Sequence, residues 1–438
     1  MKPEVIIVGA GPVGSLLALT LARRGHEVHV YERRPDMRRV DIAAGRSINL
    51  AVSTRGLHAL RQVGVEDDVL SEAVPMLGRM THDLDGKLAL LPYGRDESEY
   101  INSTSRGGLN KLLMTRAEET GRVRISFEQR LVDHDFDLRV ARFEPGGYVK
   151  AEVIVGTDGS ASAMRTCLGG DVLQDVLSSG YKELTMPPEG GDFAMHRTAL
   201  HIWPRGNFML IALPNLDGSF TCTLFLPFEG DPSFARLRKE AAARAFFEKY
   251  FPDAVPKIPG LARQFIQAPL GRMTTIKAWP WSRGSALLMG DAAHAIVPFF
   301  GQGMNAGFED VALLSGLLTG DWERDFARFA EARKPDTDAI ADLAVENFVE
   351  MRDKVADAEF LRMREIEHGL QERMRGRYLT RYQLVTFTRV PYRVALEAGE
   401  IQARILSELA RQAQPDYEHG IQLAERELVP LLRAHGAV

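Results

Sequence analysis

The chain has 438 residues, of which 45% are hydrophobic and 26% are charged, and its formal net charge at pH 7 is −5. This composition is ordinary for a folded protein, and the length suits two or three lobes around a large core. The negative charge argues against non-specific binding of nucleic acid. No apolar run reaches the ~18–20 residues of a membrane span, and the N-terminus has no signal-peptide pattern. We therefore expect a soluble, cytoplasmic protein.

The cysteine content gives no reason to predict a metal site. Cys167 and Cys222 are the two cysteines of the sequence, and neither lies in a C-x-x-C motif or a Cys/His cluster. Zinc sites built from cysteine need such spacing. We expect two buried thiols in a reducing compartment.

The first predicted element is a βαβ unit with a glycine-rich turn. The apolar strand Val5–Val8 leads into G-A-G-P-V-G at 9–14, a helix is predicted over 15–24, and a second strand covers Val28–Tyr31. This order of strand, glycines, helix and strand is typical of a dinucleotide-binding site. The alternative is a Rossmann-like fold that has lost its ligand.

Four residues of this unit are expected to serve the dinucleotide. Gly9 permits the tight turn, Gly11 lets the backbone approach a pyrophosphate, and Gly14 lets the helix pack closely on the strand. The N-terminus of that helix offers free N–H groups to the phosphates. Glu32 directly follows the second strand, where its carboxylate can hold the ribose hydroxyls.

The next predicted elements alternate between helix and strand. The spacing of apolar residues predicts helices over 53–63 and 110–120. The segment 80–93 is strand-like and polar. A strand over 152–155 ends in G-T-D-G at 156–159.

The middle of the chain predicts an antiparallel sheet. Residues 178–267 alternate as strands do, and two strands at 208–213 and 220–226 flank the turn-forming P-N-L-D-G. An apolar strand over 286–289 then returns to the first lobe. From about residue 304 to the C-terminus the periodicity is helical.

Two aspartates that follow strands are candidates for binding a sugar. Asp158 lies in a D-G dipeptide and Asp291 in G-D-A-A-H. A carboxylate at the end of a strand can accept hydrogen bonds from sugar or ribityl hydroxyls. The helix that opens near Gly303 can stabilise negative charge such as a reduced flavin carries. His294, in a run of small residues, is interpreted as a packed, hydrogen-bonded histidine and not a catalytic one.

Together these motifs resemble those of the class A flavoprotein aromatic hydroxylases: G-x-G-x-x-G at 9–14, D-G at 158–159 and G-D-A-A-H…P at 290–298. Within that family the chain is most similar to the kynurenine 3-monooxygenases, and the similarity spans residues 9–390. The segments that carry it are G-R-S-I-N-L-A at 45–51, P-Y-G at 92–94, L-H-I-W-P at 200–204, F-T-C-T-L-F at 220–225, A-I-V-P-F-F-G-Q-G-M-N-A-G-F-E-D at 295–310 and V-T-F at 385–387.

The pattern and the resemblance together predict an α/β fold in three parts. These are a discontinuous Rossmann-type FAD-binding domain, an inserted antiparallel β-sheet substrate domain and a C-terminal helical domain. Their expected bounds are 1–177 with 268–325, 178–267 with about 76–99, and 326–438.

The resemblance also implies the reaction. FAD is the implied cofactor, NADPH a transient co-substrate without its own Rossmann domain, and O2 the oxidant, acting through a C4a-hydroperoxyflavin. The implied reaction is hydroxylation of L-kynurenine to 3-hydroxykynurenine in tryptophan catabolism. Because the aniline nitrogen of the substrate activates the ring, no protein nucleophile or other catalytic residue is predicted.

Two alternatives stay open. The first is a sibling hydroxylase that acts on a substituted kynurenine or an anthranilate-like acid. Sequence alone does not separate it, because it would bind its carboxylate with the same residues. The second is an FAD-binding redox or interaction protein that does not hydroxylate.

By the same resemblance, Arg79 and Tyr93 grip the carboxylate of the substrate, assisted by Asn347 and Tyr382. A guanidinium and neutral donors can replace the water shell of a buried carboxylate. Met351 lies four residues after Asn347, so both face one side of a helix and both are expected at the substrate.

An apolar slot is implied for the aromatic ring, although the same side chains could also form the core between sheet and lobe. Phe348, where relatives often carry Tyr, is expected to point away from the ligand. The slot candidates are Leu200, Met209, Ile211, Leu213, Phe225, Pro298 and Phe299. The FAD candidates, beside the glycines and Glu32, are Val13, Arg33, Arg34, Ala51, Arg106, Leu131, Asp158, Asp291, Gly303, Met304 and Asn305.

The C-terminal segment 400–438 is predicted to be an amphipathic helical tail that Pro415 and Gly420 break. We expect it to pack as a cap near the active site. A dimer contact and a peripheral membrane helix are the alternatives. The protein is expected to be a monomer or a homodimer.

Overall fold

The computed structural model describes residues 4–40, 49–94, 97–350 and 358–438. Its strands, in chain order, are β1 (Val5–Val8), β2 (Val28–Tyr31), β3 (Asn49–Val52), β4 (Val74–Met76), β5 (Gly78–His82), β6 (Leu88–Pro92), β7 (Ile101–Ser105), β8 (Val123–Ser126), β9 (Arg130–Asp135), β10 (Val140–Glu144), β11 (Gly147–Lys150), β12 (Val153–Gly156), β13 (Asp171–Met186), β14 (Ala199–Pro204), β15 (Met209–Pro214), β16 (Phe220–Pro227), β17 (Gly271–Trp279), β18 (Ser282–Arg283) and β19 (Ala286–Leu288).

The helices follow the same order. They are α1 (Pro12–Arg23), α2 (Thr54–Gln62), α3 (Glu66–Ser71), α4 (Arg106–Glu119), α5 (Ala163–Leu168), α6 (Glu240–Tyr250), α7 (Leu261–Gln267), α8 (Asp291–His294), α9 (Gly303–Leu317), α10 (Trp322–Val349), α11 (Ala358–Arg373), α12 (Arg381–Thr386), α13 (Tyr392–Ala410) and α14 (Tyr417–Ala434). Residues 45–48 of the G-R-S-I-N-L-A segment lie outside the described residues.

A mainly parallel sheet with the strand order β18-β19-β12-β1-β2-β8 forms the first lobe. Its central strands β1 and β12 are buried along their whole length, as strands covered on both faces are. Val8 pairs with Gly156, so the loops that follow these two strands meet at one edge of the sheet. The α1 helix begins at Pro12, before the predicted residue 15, because proline at the first helical position loses no hydrogen bond.

A second sheet, antiparallel over most of its width, has the strand order β17-β13-β16-β15-β14-β5-β6. The predicted antiparallel pairing of its two middle strands is confirmed, with Met209 opposite Phe225 and Ile211 opposite Thr223. Because side chains alternate along a strand, these four residues share one face of the sheet. That face, which we call the front face, is turned towards the cavity described below.

The opposite face of the same sheet packs against α6 and α7. These two helices lie within 178–267, where the sequence analysis predicted only strands. The prediction of strand structure was therefore extended over too many residues. Phe246 and Phe247 of α6 join Leu210 of β15 in one hydrophobic cluster. The helices therefore cover the back of the sheet and leave its front face for a ligand.

A buried polar chain crosses the back face. His82 Nδ1 lies 2.6 Å from Asp253 Oδ2, and His82 Nε2 lies 2.8 Å from His201 Nδ1. His201 Nε2 bonds to the carbonyl oxygen of His196 at 2.9 Å. Burial lowers the pKa of His201 to about 4, so this ring is neutral at pH 7.

The C-terminal helices form one hydrophobic cluster with the front of the sheet. Ile405 of α13 and Leu428 of α14 belong to the cluster that also contains Phe225 and Phe299. The predicted break at Gly420 is wrong, because this residue lies inside α14. A Cβ there would lie 2.7 Å from Leu409 Cδ1, so the glycine allows α13 and α14 to approach closely.

Two further observations concern the sequence expectations. Cys222 is buried, as expected, whereas Cys167 is only partly buried, because it lies on the short surface helix α5. Among the described helices, none is both long enough and apolar enough to cross a membrane.

Candidate active site

One continuous cavity of about 670 Å³ lies between the parallel sheet and the front face of the antiparallel sheet. At one end it is lined by the glycine-rich turn, with Glu32, and by Asp158 and Asp291. At the other end it is lined by Arg79 and Tyr382. The tertiary structure thus joins the predicted dinucleotide site and the predicted substrate site in a single space.

The glycine-rich turn has the shape that a pyrophosphate requires. A Cβ on Gly9 would lie 2.7 Å from Thr157 O, and a Cβ on Gly14 would lie 2.0 Å from Gly9 O, so both positions exclude side chains. A Cβ on Gly11 would meet nothing within 4 Å, so the backbone is open to a ligand there. Gly14 therefore packs behind the cavity wall, whereas Gly9 and Gly11 line it.

Glu32 holds the turn and also lines the cavity. Its Oε2 accepts a hydrogen bond from the Ala10 amide at 2.8 Å, and its Oε1 accepts one from the Arg34 amide at 2.9 Å. A carboxylate oxygen has more than one lone pair, so both oxygens keep acceptor capacity for ribose hydroxyls.

The remaining wall of this end brings together most of the other predicted FAD residues. Arg106 is the first residue of α4, whose N-terminus is capped by Ser105 Oγ accepting from the Gly108 amide at 3.2 Å. Its guanidinium is exposed and bonds to none of the described residues, so it is available to a ligand. The other lining residues from the predicted set are Val13, Arg33, Arg34, Ala51, Leu131, Gly303 and Met304.

Asp158 has a local role that the sequence left open. Its carboxylate accepts hydrogen bonds from Ser162 Oγ at 2.5 Å, from the Ala163 amide at 2.7 Å and from the Met164 amide at 3.1 Å. It therefore caps α5 while it lines the cavity, and burial raises its pKa. Asp291 begins α8 and also lines the cavity.

Asn305 lies behind the cavity wall and not on it. Its Oδ1 accepts from the Ser53 amide at 3.0 Å, and its Nδ2 donates to Ala51 O at 2.8 Å and to Gly301 O at 2.9 Å. It therefore fixes β3 against the start of α9, and so it positions Ala51 and Met304, which do line the cavity.

His294 is buried and hydrogen-bonded, as the sequence predicted. Its Nε2 lies 2.6 Å from Asp310 Oδ2, an atom that also accepts from the Gly290 amide at 3.2 Å. Arg333 donates to the other oxygen of Asp310 at 2.8 Å. Although burial opposes the charge, His294 and Arg333 hold the pKa of Asp310 below its ordinary value. This group fixes the backbone immediately before Asp291.

The same buried network continues to the C-terminal helices. Arg333 pairs with Glu309 at 2.9 Å, and Glu309 pairs with Arg55 at 2.6 Å. Arg55 donates to the carbonyl oxygens of Val385 and Val390, which end α12 and precede α13. Because α12 carries Tyr382, the network ties the position of this tyrosine to the cofactor lobe.

The substrate end of the cavity contains an arginine between two tyrosines. The guanidinium carbon of Arg79 lies 4.8 Å from the ring centre of Tyr382 and 5.3 Å from that of Tyr93. The two rings are stacked at 5.5 Å. Arg79 Nε and the Tyr93 hydroxyl are buried without a hydrogen-bond partner among the described residues. Burial raises the pKa of Tyr93, so its hydroxyl is a neutral donor at pH 7.

Asn347 does not line the cavity with these three residues. Its amide donates to Phe299 O at 2.7 Å, behind the cavity wall. Phe348, on the same helix, stacks on the ring of Phe299 at 4.2 Å and, as expected, is not among the described lining residues. Asn347 therefore influences the cavity indirectly, by fixing the backbone of Phe299, which lines it. Met351 lies outside the described residues.

The predicted apolar slot is assembled between the front face and the loop before α9. All seven predicted slot residues line the cavity: Leu200, Met209, Ile211, Leu213, Phe225, Pro298 and Phe299. Phe225 and Phe299 are also in the hydrophobic cluster beneath, with ring centres 5.1 Å apart. Phe225 and Phe299 thus belong to the cavity wall and to the core at once, and the binding of a substrate ring between them stays a prediction.

Comparison with known proteins assigns the family. A family model described as FAD binding domain matches residues 2–320. The kynurenine 3-monooxygenase of Myxococcus xanthus is 52% identical, and the match covers 99% of this chain and 97% of the relative. The kynurenine 3-monooxygenase of Cytophaga hutchinsonii is 45% identical, with 95% and 96% covered. The chain belongs to the kynurenine 3-monooxygenase family.

Solved structures share the fold of this family. The tetrameric form of 2-methyl-3-hydroxypyridine-5-carboxylic acid oxygenase matches with a TM-score of 0.68 at 23% identity, covering 82% of this chain and 96% of that chain. PqsL of P. aeruginosa, in complex with 2-aminobenzoylacetate, matches with a TM-score of 0.67 at 20% identity, covering 81% and 97%. The predicted fold class is confirmed.

Several residues that line the cavity were not predicted from the sequence. Thr223 could have been predicted as a cavity residue, because strand alternation places it on the same face as Ile211 and Phe225. Met76 and Ile101 lie on β4 and β7, and they join Tyr93 and the slot only through tertiary packing. No sequence pattern links them to the substrate end.

Proposed function

We propose that this protein hydroxylates L-kynurenine at ring carbon 3, with FAD as cofactor, NADPH as reductant and O2 as oxidant. The observation that carries the proposal is Arg79. Its guanidinium lies at one end of an apolar slot and pairs with no carboxylate among the described residues. A buried charge without a partner is costly, so the site is built for a ligand that brings a carboxylate.

The clamp suits the amino-acid end of kynurenine. A carboxylate placed beside Arg79 would pair with its guanidinium and accept from the hydroxyl of Tyr93, which replaces the water lost on binding. The ring of Tyr382 stabilises the guanidinium from its other side through a cation–π contact. Asn347 would fix the backbone of Phe299, against which the carbon chain of the substrate would pack.

The slot then aligns the aromatic ring. The side chains of Ile211, Phe225 and Phe299 surround an apolar space that continues to the cofactor end of the cavity. Such a wall orients a flat ring and excludes water from the reacting atoms. The amine of kynurenine donates electron density to the ortho carbon, so positioning is the main task of the protein.

The cofactor end fits FAD on this structure's own geometry. The open approach at Gly11 suits the pyrophosphate, Glu32 and Asp291 suit hydroxyl groups, and Arg106 suits a phosphate or the flavin edge. Bound FAD would accept a hydride from NADPH and activate O2. The N-terminus of α9 faces the cavity at Gly303, where its dipole stabilises negative charge.

The test is product identification. The purified protein, loaded with FAD, is given NADPH and L-kynurenine under air, and products are separated and weighed by mass spectrometry. We expect kynurenine-dependent NADPH oxidation and a product heavier by one oxygen that co-elutes with 3-hydroxykynurenine. Ring-substituted kynurenines and anthranilate are assayed in parallel. A better rate with one of these, or flavin binding without stimulated NADPH oxidation, would contradict the proposal.

A further inference from the structure

The wall of the slot contains a polar side chain that has no hydrogen-bond partner in the described part of the chain and no assigned role. Thr223 lines the cavity from β16 and is only 2% exposed. Its hydroxyl has no hydrogen bond to the described residues. Two other polar side chains nearby are satisfied: Thr221 Oγ1 bonds to Asn49 Oδ1 at 3.1 Å, and Asn49 Nδ2 donates to Asn215 Oδ1 at 2.7 Å.

The register of the sheet places this hydroxyl at the ring end of the slot. Thr223 is opposite Ile211 on β15, and Met209 is opposite Phe225 in the next pair on the same face. Arg79 lies on β5, three strands away, since the order runs β16-β15-β14-β5. At about 4.8 Å per strand this is roughly 14 Å between backbones. An extended arginine side chain and a bound kynurenine can together cover that span.

We propose that the Thr223 hydroxyl accepts a hydrogen bond from the ring amine of the substrate and so selects arylamines. The inference rests on the proposed function, because it needs kynurenine in the slot. In kynurenine one N–H of the amine is held by the neighbouring ketone oxygen. The second N–H points away from the ketone, towards ring carbon 3, and needs an acceptor once water is excluded.

The chemistry of the wall makes Thr223 the acceptor. Arg79 can only donate hydrogen bonds, and the other described front-face residues that line the slot, such as Leu213, Ile211 and Phe225, have apolar side chains. A buried N–H without an acceptor weakens binding, whereas a threonine hydroxyl accepts readily and keeps its own proton free to rotate. Valine has the same β-branched shape without the hydroxyl, so Thr223→Val tests the hydrogen bond with little change in volume.

The test compares two ligands in matched variants. The ligands are L-kynurenine and 2-amino-4-oxo-4-phenylbutanoate, which is kynurenine without the ring amine. Binding to the FAD-loaded protein is followed by the change in flavin absorbance. For Thr223→Val we expect about tenfold weaker binding of kynurenine. Binding of the analogue should change less than twofold, and Thr223→Ser should restore kynurenine binding.

A control separates the hydrogen bond from the packing. Ile211→Val removes one methylene from the slot wall on the neighbouring strand, and it should weaken the binding of both ligands by the same factor. If Thr223→Val also weakens both ligands equally, or weakens neither, the inference about Thr223 is overturned and the proposed function stands. If the wild-type protein neither binds nor hydroxylates kynurenine, the proposed function and the inference are overturned together. Flavin content and circular dichroism establish that each variant is folded.

Discussion

Replacing Arg79 with methionine should separate substrate affinity from stability. In most proteins the loss of a buried arginine breaks an ion pair and destabilises the fold. Here Arg79 pairs with no carboxylate in the part of the chain that the structure describes, and its Nε has no partner. Because the site is desolvated, its contacts with Tyr93 and Tyr382 are each worth about 2 kcal/mol at most. Removal of the desolvated charge offsets that loss, so we expect the free energy of unfolding to change by no more than about 1 kcal/mol.

The effect on substrate binding should be much larger. Kynurenine's carboxylate would lose its charged partner in a water-excluded site, which costs about 2–4 kcal/mol. This corresponds to a roughly 30- to 1,000-fold rise in the dissociation constant. The assay is a titration of the oxidised flavin absorbance with L-kynurenine, together with urea unfolding of the same samples. FAD content should be unchanged, because Arg79 lies at the opposite end of the cavity.

Arg272→Met is the matched control. Arg272 lies on β17 of the same sheet, is exposed, and has its guanidinium 5.5 Å from the ring centre of Phe228. It is outside the cavity, so its replacement should leave the dissociation constant within twofold of the wild-type value. Normal kynurenine binding by Arg79→Met, with FAD retained, would refute the assignment of the carboxylate clamp.

Three further predictions concern the cofactor lobe and the buried polar groups. Glu32→Gln should lower FAD affinity roughly tenfold, read as flavin retained after gel filtration, because an amide replaces a charged acceptor. Asp310→Asn should lower the free energy of unfolding by about 3–5 kcal/mol in urea, since it leaves Arg333 and His294 without their carboxylate. The pKa of His201 is about 4 in the folded protein and about 6.5 in the unfolded chain. As the pH falls below 6.5, the unfolded chain therefore binds a proton at His201 before the folded protein does. Stability should therefore fall by as much as about 3 kcal/mol as the pH falls from 6.5 to 4.

Each of these has its own control. Asp342→Asn removes an exposed carboxylate paired with Lys277 and should cost less than ~1 kcal/mol, so an equal loss for Asp310→Asn would argue against the buried network. Unfolding at pH 7 and 4.5 is compared with that of His201→Asn, in which the pH dependence should shrink. An unchanged pH dependence in that variant would exclude His201 as its source. Retention of FAD by Glu32→Gln at wild-type affinity would show that the carboxylate is dispensable.

Much of the site could be predicted because its signals are local. The spacing of Gly9, Gly11 and Gly14 encodes a turn that closes within a few residues, and the structure forms it where expected. The alternation in 208–213 and 220–226 depends on the two-residue period of a strand. It therefore identifies the front face before any packing is known.

Other expectations differ from the structure where the decisive partner is remote in the chain. Asn347 was expected at the carboxylate, yet the packing of α10 turns its amide towards Phe299 O. Gly420 was expected to end a helix, whereas it serves the close approach of Leu409 from α13. The helices α6 and α7 were missed because their short apolar stretches fit the strand pattern around them.

The sequence by itself determined the glycine-rich turn and the alternation of the front-face strands, since each depends on residues close together in the chain, and it determined the family through motifs spread over residues 9–390. Only the tertiary structure decided that Arg79 lies between Tyr93 and Tyr382 with no acid beside it in the described chain. Only the tertiary structure, too, tied Arg55 to α12 through buried bonds. The contacts of Arg79 with Tyr382 and of Arg55 with α12 join segments hundreds of residues apart, and their geometry follows from how sheets and helices pack and not from any local period.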